Sequence, residues 1–490
     1  GTLTETSVSA LCSLLASPAT LISSTVEAEG TNYGFPSWGL VDGAVALVGQ
    51  TITHRGEAAV NVWCSSGAFA KVCKRLRSLS GRSQLSPTGV MQAVMVVHDV
   101  LRHRTVERAQ LLRDNEVVVI CAKLVSPDNV DAIRHWPEAA GGGDNAATTL
   151  VSLSCRLLLV ILQLGPSDAD GRDGGGEAAR GEEAARVAVL KSLQSSNLVA
   201  SLVSLVTSAI AYPETQPLAP DAIERAVALL QRLVMVPGGA FARQFVGAAG
   251  LDPAVVSHCL NPQGSSRALL VDYLLIVSNL ARISVDHYPA IQTSTALHNL
   301  APLCEHHEAS IRARVCNLVG NLCRHSDKFY PDLVTHKVLP ALINMASDPD
   351  PNTRKFACFA VGNAGFHSGR LYQHMHSAIA PLVACLRDPL DKTRSNAAGA
   401  LGNLARNSGE LTSELLRGGA VEELFALVRN PSDAAAKVAL YSIGTLITYE
   451  DCRAQLLALG VEAEARALQA SGEGTTRKYA TRLLDRLRTS

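Results

Sequence analysis

Histidine and cysteine, common ligands of structural zinc, concentrate in one stretch of this sequence. Nine of the 14 histidines fall between His287 and His376. The residues that come nearest to a ligand set are Cys304, His306, His307, Cys316, Cys323 and His325. Structural zinc sites use tight pairs such as Cys-x-x-Cys, and this stretch has none. We therefore expect no metal here, and no other cofactor in this chain.

The signature motifs of several catalytic classes are missing from the sequence. It contains no Gly-x-x-x-x-Gly-Lys loop, no His-Glu-x-x-His and no Gly-x-Ser-x-Gly. The His-Arg-Asp and Asp-Phe-Gly motifs of a protein kinase do not occur either. The glycine runs Gly141–Gly143 and Gly174–Gly176 lack the flanking strand of a phosphate-binding loop. The sequence thus predicts that this chain is not itself a catalyst.

Four asparagines recur in a short phrase of the type Val-Gly-Asn-Leu. They are Asn279, Asn321, Asn363 and Asn403, at steps of 42, 42 and 40 residues. On stacked helices they would line one surface at a spacing of roughly 10 Å. An amide both donates and accepts hydrogen bonds, so two interpretations stay open. The asparagines hold the backbone of an extended partner peptide in a concave groove, or each satisfies a neighbouring turn inside the stack.

Acidic and basic residues recur across the turn between two predicted helices. Asp348 precedes Arg354 by six residues, and Asp388 precedes Arg394 by the same distance. This spacing lets the acid meet the guanidinium of its own or of an adjacent repeat. Because repeated pairs in register stabilise a one-dimensional stack, we interpret them as a structural ladder and not as a binding site.

Basic side chains also form three local clusters, each of which is either a solvated face or a contact for an acidic protein surface such as a tubulin tail. The clusters are Lys71, Lys74, Arg75, Arg77 and Arg82; Arg102, Arg104, Arg108 and Arg113; and Arg477, Lys478, Arg482, Arg486 and Arg488. The whole chain is neutral, with 44 Lys and Arg against 44 Asp and Glu. Because it has no global basic field, we expect no nucleic-acid partner.

The elements that position these residues repeat every 40 to 42 residues. In one period, Lys337–Ala346 has apolar residues at helical spacing, and Asp348-Pro349-Asp350-Pro351 ends that helix. Asn352 or Thr353 is predicted to cap the next helix, Arg354–Phe366.

A polar residue follows each long helix: His325, His367 and Asn407. Such residues tolerate the left-handed conformation that ends many helices, which we predict for them. A period of about 40 to 47 residues with two or three helices is typical of armadillo and HEAT repeats. We therefore predict an all-α fold, an armadillo/HEAT-type α-solenoid whose helical repeats form a right-handed superhelix.

The register divides the chain into two parts. Residues 250–490 are predicted to be regular repeats closed by a capping helix, Thr475–Leu487, and residues 1–249 to be divergent helical repeats with insertions. The Gly-, Asp- and Glu-rich segment at about 165–183 has little to bury and is predicted to be a mobile loop, as is the shorter Ala139–Asn145.

The composition of the chain bears on disorder, on membrane spans and on the cellular compartment. The chain of 490 residues is 47% apolar but only 4% aromatic, which suits close helix packing and excludes disorder. Its apolar runs are broken by charges such as Arg156 and Arg282, so we expect no membrane span. The 12 cysteines show no closely spaced framework and are interpreted as reduced core residues of an intracellular protein.

The repeat phrases carry a family resemblance. The run Asp348–Ala364 (DPDPNTRKFACFAVGNA), followed by Thr393–Leu404 (TRSNAAGALGNL), resembles the C-terminal armadillo-like region of Fused-family serine/threonine kinases. Tyr33-Gly34-Phe35-Pro36, followed by Gly39–Gly43, is similar to a segment nearer the start of that region. The matching motif is a packing motif, so the resemblance transfers no functional residue.

The resemblance implies a kinase domain N-terminal to Gly1, with ATP and Mg²⁺ bound there and not in this chain. Members of the family are tied to kinesin-like and microtubule-associated proteins and to the central apparatus of motile cilia. It therefore implies a non-catalytic protein-protein interaction scaffold, the docking half of such a kinase. The expected location is the cytoplasm, on the cytoskeleton of the cilium or flagellum axoneme.

The rival interpretation is a transport adaptor of the importin or catenin type, which grips extended peptides in its concave groove. Importin-like grooves pair each such asparagine with a tryptophan four residues earlier. Those positions hold Leu275, Asn317, Phe359 and Gly399 here. This departure weakens the cargo interpretation.

Overall fold

The structure, a computed structural model, describes residues 4–16, 27–28, 31–32, 38–77, 85–103, 108–136, 138, 141–162, 177–430 and 434–489. Nearly all of these residues lie in helices or in the turns between helices, and the predicted all-α fold is confirmed. Strands β1 (Glu27–Ala28) and β2 (Thr31–Asn32) form one short antiparallel pair. The Tyr33-Gly34-Phe35-Pro36 segment lies outside the described residues. The fold divides into two compact units, Gly1–Gly250 and Leu251–Ser490.

The first unit contains helices α1 to α13. Their bounds are α1 Glu5–Ala16, α2 Trp38–Arg55, α3 Glu57–Ser65, α4 Ala68–Arg77, α5 Pro87–His103, α6 Arg108–Asp114, α7 Val117–Leu124, α8 Pro127–Arg134, α9 Asp144–Leu162, α10 Glu177–Ser195, α11 Leu198–Ala211, α12 Pro220–Val234 and α13 Ala240–Gly247. The long helices α2, α5, α9 and α12 pack in chain order, each against the next. Valine, leucine and alanine fill most of the core between them.

Helix α9 is long and apolar enough to cross a bilayer by length and composition alone, and the consecutive helices α10 and α11 pass the same test only as a pair bent by 52°. In the structure α9 packs against α5, α8 and α12. A helix with neighbours on several sides needs apolar residues on all of those sides. Packing within the unit therefore accounts for its composition.

The predicted loops of the first unit are shorter than the sequence indicated. Residues 163–176 lie outside the described residues, but 177–183, which the prediction assigned to the loop, form the start of α10. That stretch is mostly alanine, glutamate and arginine, which favour helix, whereas the glycines and aspartates precede it. Helix α9 likewise begins at Asp144, inside the predicted Ala139–Asn145 loop.

The second unit contains helices α14 to α29. Their bounds are α14 Pro253–Cys259, α15 Arg267–Ile283, α16 Tyr288–Thr293, α17 Leu300–Cys304, α18 Ala309–Leu322, α19 Tyr330–Thr335, α20 Val338–Asn344, α21 Pro351–Ala364, α22 Ile379–Cys385, α23 Asp391–Asn403, α24 Thr412–Arg417, α25 Ala420–Val428, α26 Ala436–Leu446, α27 Glu450–Ala458, α28 Val461–Ser471 and α29 Gly474–Thr489. Short 3₁₀ turns occur at Val285–His287, Ala296–Asn299, Met345–Ser347, Gly369–His374 and His376–Ala378.

Six long helices of this unit, α15, α18, α21, α23, α26 and α29, also pack in chain order. Glycine at equivalent positions lets their backbones approach. A Cβ atom added at Gly362 would lie 3.2 Å from Ala400 Cα, and one added at Gly402 would lie 2.9 Å from Ser442 Cα. The glycines of the repeated phrase are therefore packing residues.

The turn before α21 differs from the prediction in its capping residue. The N-cap of α21 is Asp350, whose carboxylate accepts a hydrogen bond from Thr353 N–H at 2.7 Å. Asn352 and Thr353 already lie inside the helix, so the predicted cap was wrong. Pro351 occupies the first helical position, where its missing N–H does not matter. The helix therefore begins three residues before the predicted start at Arg354.

Candidate functional site

The four asparagines lie near the C-terminal ends of α15, α18, α21 and α23 and bond within the stack. Asn363 Nδ2 donates to the carbonyl of Gly320 at 2.8 Å, and Asn403 Nδ2 donates to that of Gly362 at 2.9 Å. Asn321 Nδ2 donates to Ser278 Oγ at 2.8 Å. Each of these three amides thus donates to the preceding long helix, as the structural interpretation requires.

The exposure of the asparagines separates them into two pairs. Asn279 and Asn321 are only 3% and 4% exposed, and Asn279 Oδ1 accepts a hydrogen bond from Arg282 at 2.5 Å. Asn363 and Asn403 are half-buried. For this second pair, a further role in holding a peptide stays a prediction.

A row of tyrosines, not predicted from the sequence, bonds to the C-terminal ends of α18, α21 and α23. Tyr288, Tyr330 and Tyr372 donate from their hydroxyls to the carbonyls of Asn321 (3.2 Å), Asn363 (2.9 Å) and Asn403 (2.5 Å). Burial raises the pKa of Tyr330 well above its ordinary value, so its hydroxyl stays protonated and able to donate. The signal was present in the sequence, because these tyrosines are spaced by 42 residues.

The polar residue after each long helix does not adopt the predicted left-handed conformation. The described non-glycine residues with positive φ are Glu116, Ala249, Thr295 and Lys337. Instead, the side chains contact the preceding repeat: His325 Nε2 lies 2.9 Å from the carbonyl oxygen of Arg282, and His367 Nε2 lies 3.1 Å from that of Arg324. Their recurrence is therefore explained by bonds between repeats.

The acidic and basic residues of the turns form ion pairs between adjacent repeats. Arg312 donates from Nε and Nη2 to the two carboxylate oxygens of Asp348, at 2.7 and 2.9 Å. Arg354 Nε donates to Asp388 Oδ2 at 2.7 Å. Within its own turn, each arginine contacts backbone instead: Arg354 Nη1 donates to the carbonyl of Asp348 at 2.9 Å, and Arg394 Nη1 donates to that of Asp388 at 2.8 Å. Of the two partners that the spacing allowed, the acid pairs with the arginine of the preceding repeat.

Asp348 shows how strongly such a pair is held. Burial raises the pKa of its carboxyl, but the hydrogen bonds from Arg312 and from Asp350 N–H, with the positive charges of Arg312 and Arg354, outweigh burial and lower the pKa below its ordinary value. The carboxylate is therefore charged at neutral pH.

The cysteine and histidine concentration is not arranged as a metal site. Within the part of the chain that the structure describes, no group of three His, Cys, Asp or Glu side chains is close enough to hold a metal ion. All 12 cysteines are free and 11 are buried. Burial raises the pKa of Cys304 and of Cys323 to about 12, so both thiols are protonated at neutral pH and make poor ligands. His306 and His307 stack on each other, with ring centroids 4.2 Å apart.

The basic clusters are only partly solvated. Arg75 is 5% exposed, and its Nε donates to the carbonyl of Leu15 at 2.9 Å. The interpretation of Arg75 as part of a solvated face was therefore wrong. On α29, Arg486 donates to the carbonyl of Gly444, whereas Lys478 and Arg482 are exposed. Arg82 and Arg104 lie outside the described residues.

Comparison with known proteins supports a fold of helical repeats. Residues 339–443 match the family described as HEAT repeats. Among solved structures, an engineered protein from the Northeast Structural Genomics Consortium matches with a TM-score of 0.71 over 98% of both chains, at 15% identity. The predicted armadillo/HEAT-type solenoid fold is thereby confirmed. A designed armadillo repeat protein in complex with the peptide (KR)4 matches 48% of this chain and 98% of its own, at 21% identity and a TM-score of 0.45, which is too low to add to that conclusion.

A curated relative is a kinase. The chain is 28% identical over 322 residues to the serine/threonine-protein kinase TIO of Arabidopsis thaliana. The match covers 60% of this chain and 24% of the kinase, so the chain spans about a quarter of the length of this relative.

Proposed function

We propose that this chain is the non-catalytic docking region of a Fused-like serine/threonine kinase and acts as a protein-protein interaction scaffold. In this proposal a kinase domain with its ATP and Mg²⁺ lies N-terminal to Gly1. The partners are kinesin-like and microtubule-associated proteins, and the location is the cytoplasm, at the axoneme of the cilium or flagellum, including its central apparatus. The observation that carries the proposal is the 28% identity to a kinase over 322 residues.

The geometry of the second unit supports a scaffold. Its recurring polar residues bond one repeat to the next, as Asn363 does with Gly320 and Arg354 with Asp388. A repeat stack of this kind offers extended surfaces that suit protein partners. In this proposal the side chains of that surface bind the partner directly, without a cofactor.

The test is proximity labelling in ciliated cells, with this chain fused to a biotin ligase. We expect labelled kinesin-like and microtubule-associated proteins, compared with the biotin ligase alone. Recovery of nuclear transport factors without microtubule-associated proteins would overturn the proposal and favour the adaptor alternative.

The adaptor alternative has its own discriminating variant. In an armadillo adaptor the asparagine row grips the peptide, so Asn321→Ala, Asn363→Ala and Asn403→Ala together abolish partner capture in a chain that still folds. In the structure these amides bond to neighbouring helices, and we expect reduced stability with partner labelling retained. Asn145→Ala is the control, because Asn145 lies exposed on α9, in the first unit and away from those bonds.

A further inference from the structure

A polar cavity lies in the first unit, between α7 and the corner where α10 meets α11. Its volume is about 360 Å³, which is within the range of small-ligand sites. Among the described residues that line it, Lys123 is the one charged side chain. We call it the serine cavity, because five of its lining residues are serines: Ser126, Ser192, Ser195, Ser196 and Ser201.

The hydroxyl of Ser201 is a buried donor in the wall of the serine cavity. Ser201 lies in the first turns of α11 and is only 5% exposed. Its backbone N–H donates to the carbonyl of Asn197, but its hydroxyl has no hydrogen-bond partner among the described residues. A helical serine often bonds to the carbonyl four residues earlier, as Ser471 does with Ala467. Since an unpaired buried hydroxyl costs free energy, the cavity offers a ligand a donor that the fold leaves unused.

The first turn of α11 adds backbone donors at the same place. Asn197 precedes this helix of 14 residues, and its side chain makes no capping hydrogen bond. The first N–H groups of the helix are therefore open to a ligand, and the helix dipole places partial positive charge there. Asn197 and Ser201 are one turn apart and both line the cavity, so the start of α11 faces it.

Lys123 supplies a full positive charge to the serine cavity. It is exposed in the last turn of α7 and forms no ion pair within the described part of the chain. A second exposed lysine, Lys191, lies in the last turns of α10. The neighbouring acids are used elsewhere: Glu116 pairs with Arg77 at 3.4 Å, and Asp128 lines a different cavity. The serine cavity is therefore suited to an anion.

We propose that the serine cavity binds a phosphate monoester group. Such a group carries a charge of about −1.5 to −2 at pH 7 and three acceptor oxygens, so it can use several donors at once. The N–H groups at the start of α11 and the Ser201 hydroxyl donate to these oxygens, and Lys123 balances the charge. A carboxylate has only two oxygens and one charge, and it would leave part of this set unused.

The apolar part of the lining fits the carbon side of a small ester. Val119 and Ala122 lie on the same helix as Lys123 and also line the cavity. The lining contains no aromatic ring on which a nucleobase could stack. The phosphate is therefore carried by a small ester or by a phosphorylated side chain of a protein segment, and the chemistry that recognises the phosphate is the same for both.

The test is isothermal titration calorimetry of the whole chain at fixed ionic strength with three probes. They are inorganic phosphate, a five-residue peptide of glycine and alanine around one phosphoserine, and the same peptide with unmodified serine. We expect saturable binding of the phosphorylated peptide and none of the unmodified one. Both outcomes for inorganic phosphate support the inference: equal affinity points to a small phosphate ligand, and weaker affinity points to a phosphorylated segment. Binding of neither phosphate probe overturns the inference.

Two variants test the residues of the cavity. Lys123→Glu is expected to weaken phosphopeptide binding by at least about tenfold, because it reverses the charge beside the anion. Ser201→Ala is expected to weaken it by about three- to tenfold. Ser201→Ala removes no hydrogen bond within the described residues, so its thermal midpoint should not fall, and a loss of binding is then not a loss of folding.

The matched controls are Ser204→Ala, at an exposed position of α11, and Lys328→Glu, at an exposed position of the second unit. Both should bind the phosphopeptide as the unaltered chain does. Unchanged binding by Lys123→Glu and Ser201→Ala, or an equal loss in Lys328→Glu, overturns the inference. The inference goes beyond the proposed function, because no step of the scaffold role depends on this cavity. Failure here, with proximity labelling of microtubule-associated proteins retained, leaves the proposed function standing.

Discussion

At the scale of single residues, side chains that look suited to catalysis or ligand binding are used to join repeats. The Tyr330 hydroxyl donates to the carbonyl of Asn363 at 2.9 Å and accepts from His367 N–H at 3.3 Å. One hydroxyl thus bonds two backbone groups at the end of α21, where the carbonyl of Asn363 also accepts from Phe366 N–H at 3.2 Å. The recurrence of Tyr288, Tyr330 and Tyr372 and of His325 and His367 follows from this use.

Tyr330→Phe should lower stability, because it leaves the His367 N–H without its partner and removes one of the two hydrogen bonds to the carbonyl of Asn363. We expect a loss of about 1 kcal/mol and a fall in the thermal midpoint of about 2–4 °C, measured by circular dichroism. Tyr212→Phe is the control, since that side chain is 61% exposed. An unchanged midpoint for Tyr330→Phe would contradict the role given to its hydroxyl.

The sequence predicted which residues recur but not where their side chains bond. The spacing of Asn321, Asn363 and Asn403 identified equivalent helix positions. The spacing of residues along the chain does not give the distances between side chains of adjacent repeats. It was therefore equally compatible with asparagines that bind a peptide in a groove and with asparagines that bond inside the stack. The tyrosines were missed because each one bonds about 31 to 33 residues away, a separation that no local rule covers.

At the scale of helices, the repeats are joined by an ion pair and by close backbone contact. The Arg312–Asp348 pair connects the start of α18 to the turn before α21, and Asp348 is buried. Glycine at the contact between α23 and α26 allows their backbones to approach. Both features were visible in the sequence as a register, and the structure shows that the pairing runs between adjacent repeats.

Asp348→Asn should destabilise the chain in a pH-dependent way. The pKa of Asp348 is lowered on folding, so its contribution is fully present above the unfolded pKa of about 3.9. It is lost as the pH falls through the lower pKa of the folded state. We expect a loss of about 2 kcal/mol at pH 7 that shrinks in acid, measured by urea unfolding across pH. Asp391→Asn, at an exposed pair, should change little at any pH.

Gly402→Ala and Gly399→Ala should have opposite effects although both glycines lie in α23. A Cβ at Gly402 would lie 2.4 Å from Ser442 Oγ and 2.9 Å from its Cα, whereas one at Gly399 would meet only Val438 Cγ1 at 3.4 Å. We expect Gly402→Ala to cost about 1–3 kcal/mol through overpacking. Gly399→Ala should be neutral or stabilising by up to about 1 kcal/mol, because alanine favours helix. Equal thermal midpoints for the two variants would refute the close contact.

At the scale of the whole molecule, the chain consists of two compact units, each with its own row of long helices. The repeat register predicted a stack, because neighbouring repeats in such a fold contact mainly each other. The first unit was harder to predict. Its helices follow the same packing, but their phrases lack the recurring asparagine, and the Gly- and Asp-rich insertion in the sequence interrupts the register.

Residues 251–490 should fold when expressed alone, because the second unit has its own core. We expect a helical circular dichroism spectrum and a cooperative thermal transition. A matched truncation starting at Ser294 removes α14, α15 and α16 and exposes the apolar surface of α18 that α15 covers. That fragment should aggregate or melt at a lower temperature, and a fragment 251–490 without cooperative melting would contradict the prediction.

The bonds between repeats always join equivalent positions, as Asn363 joins Gly320 and Asn403 joins Gly362. Duplication of one whole period of about 42 residues would therefore give every new donor an acceptor and would leave no polar group stranded. A shorter insertion inside a long helix would break all of these bonds in that repeat at once. Tandem duplication can thus lengthen this array in whole steps of one repeat.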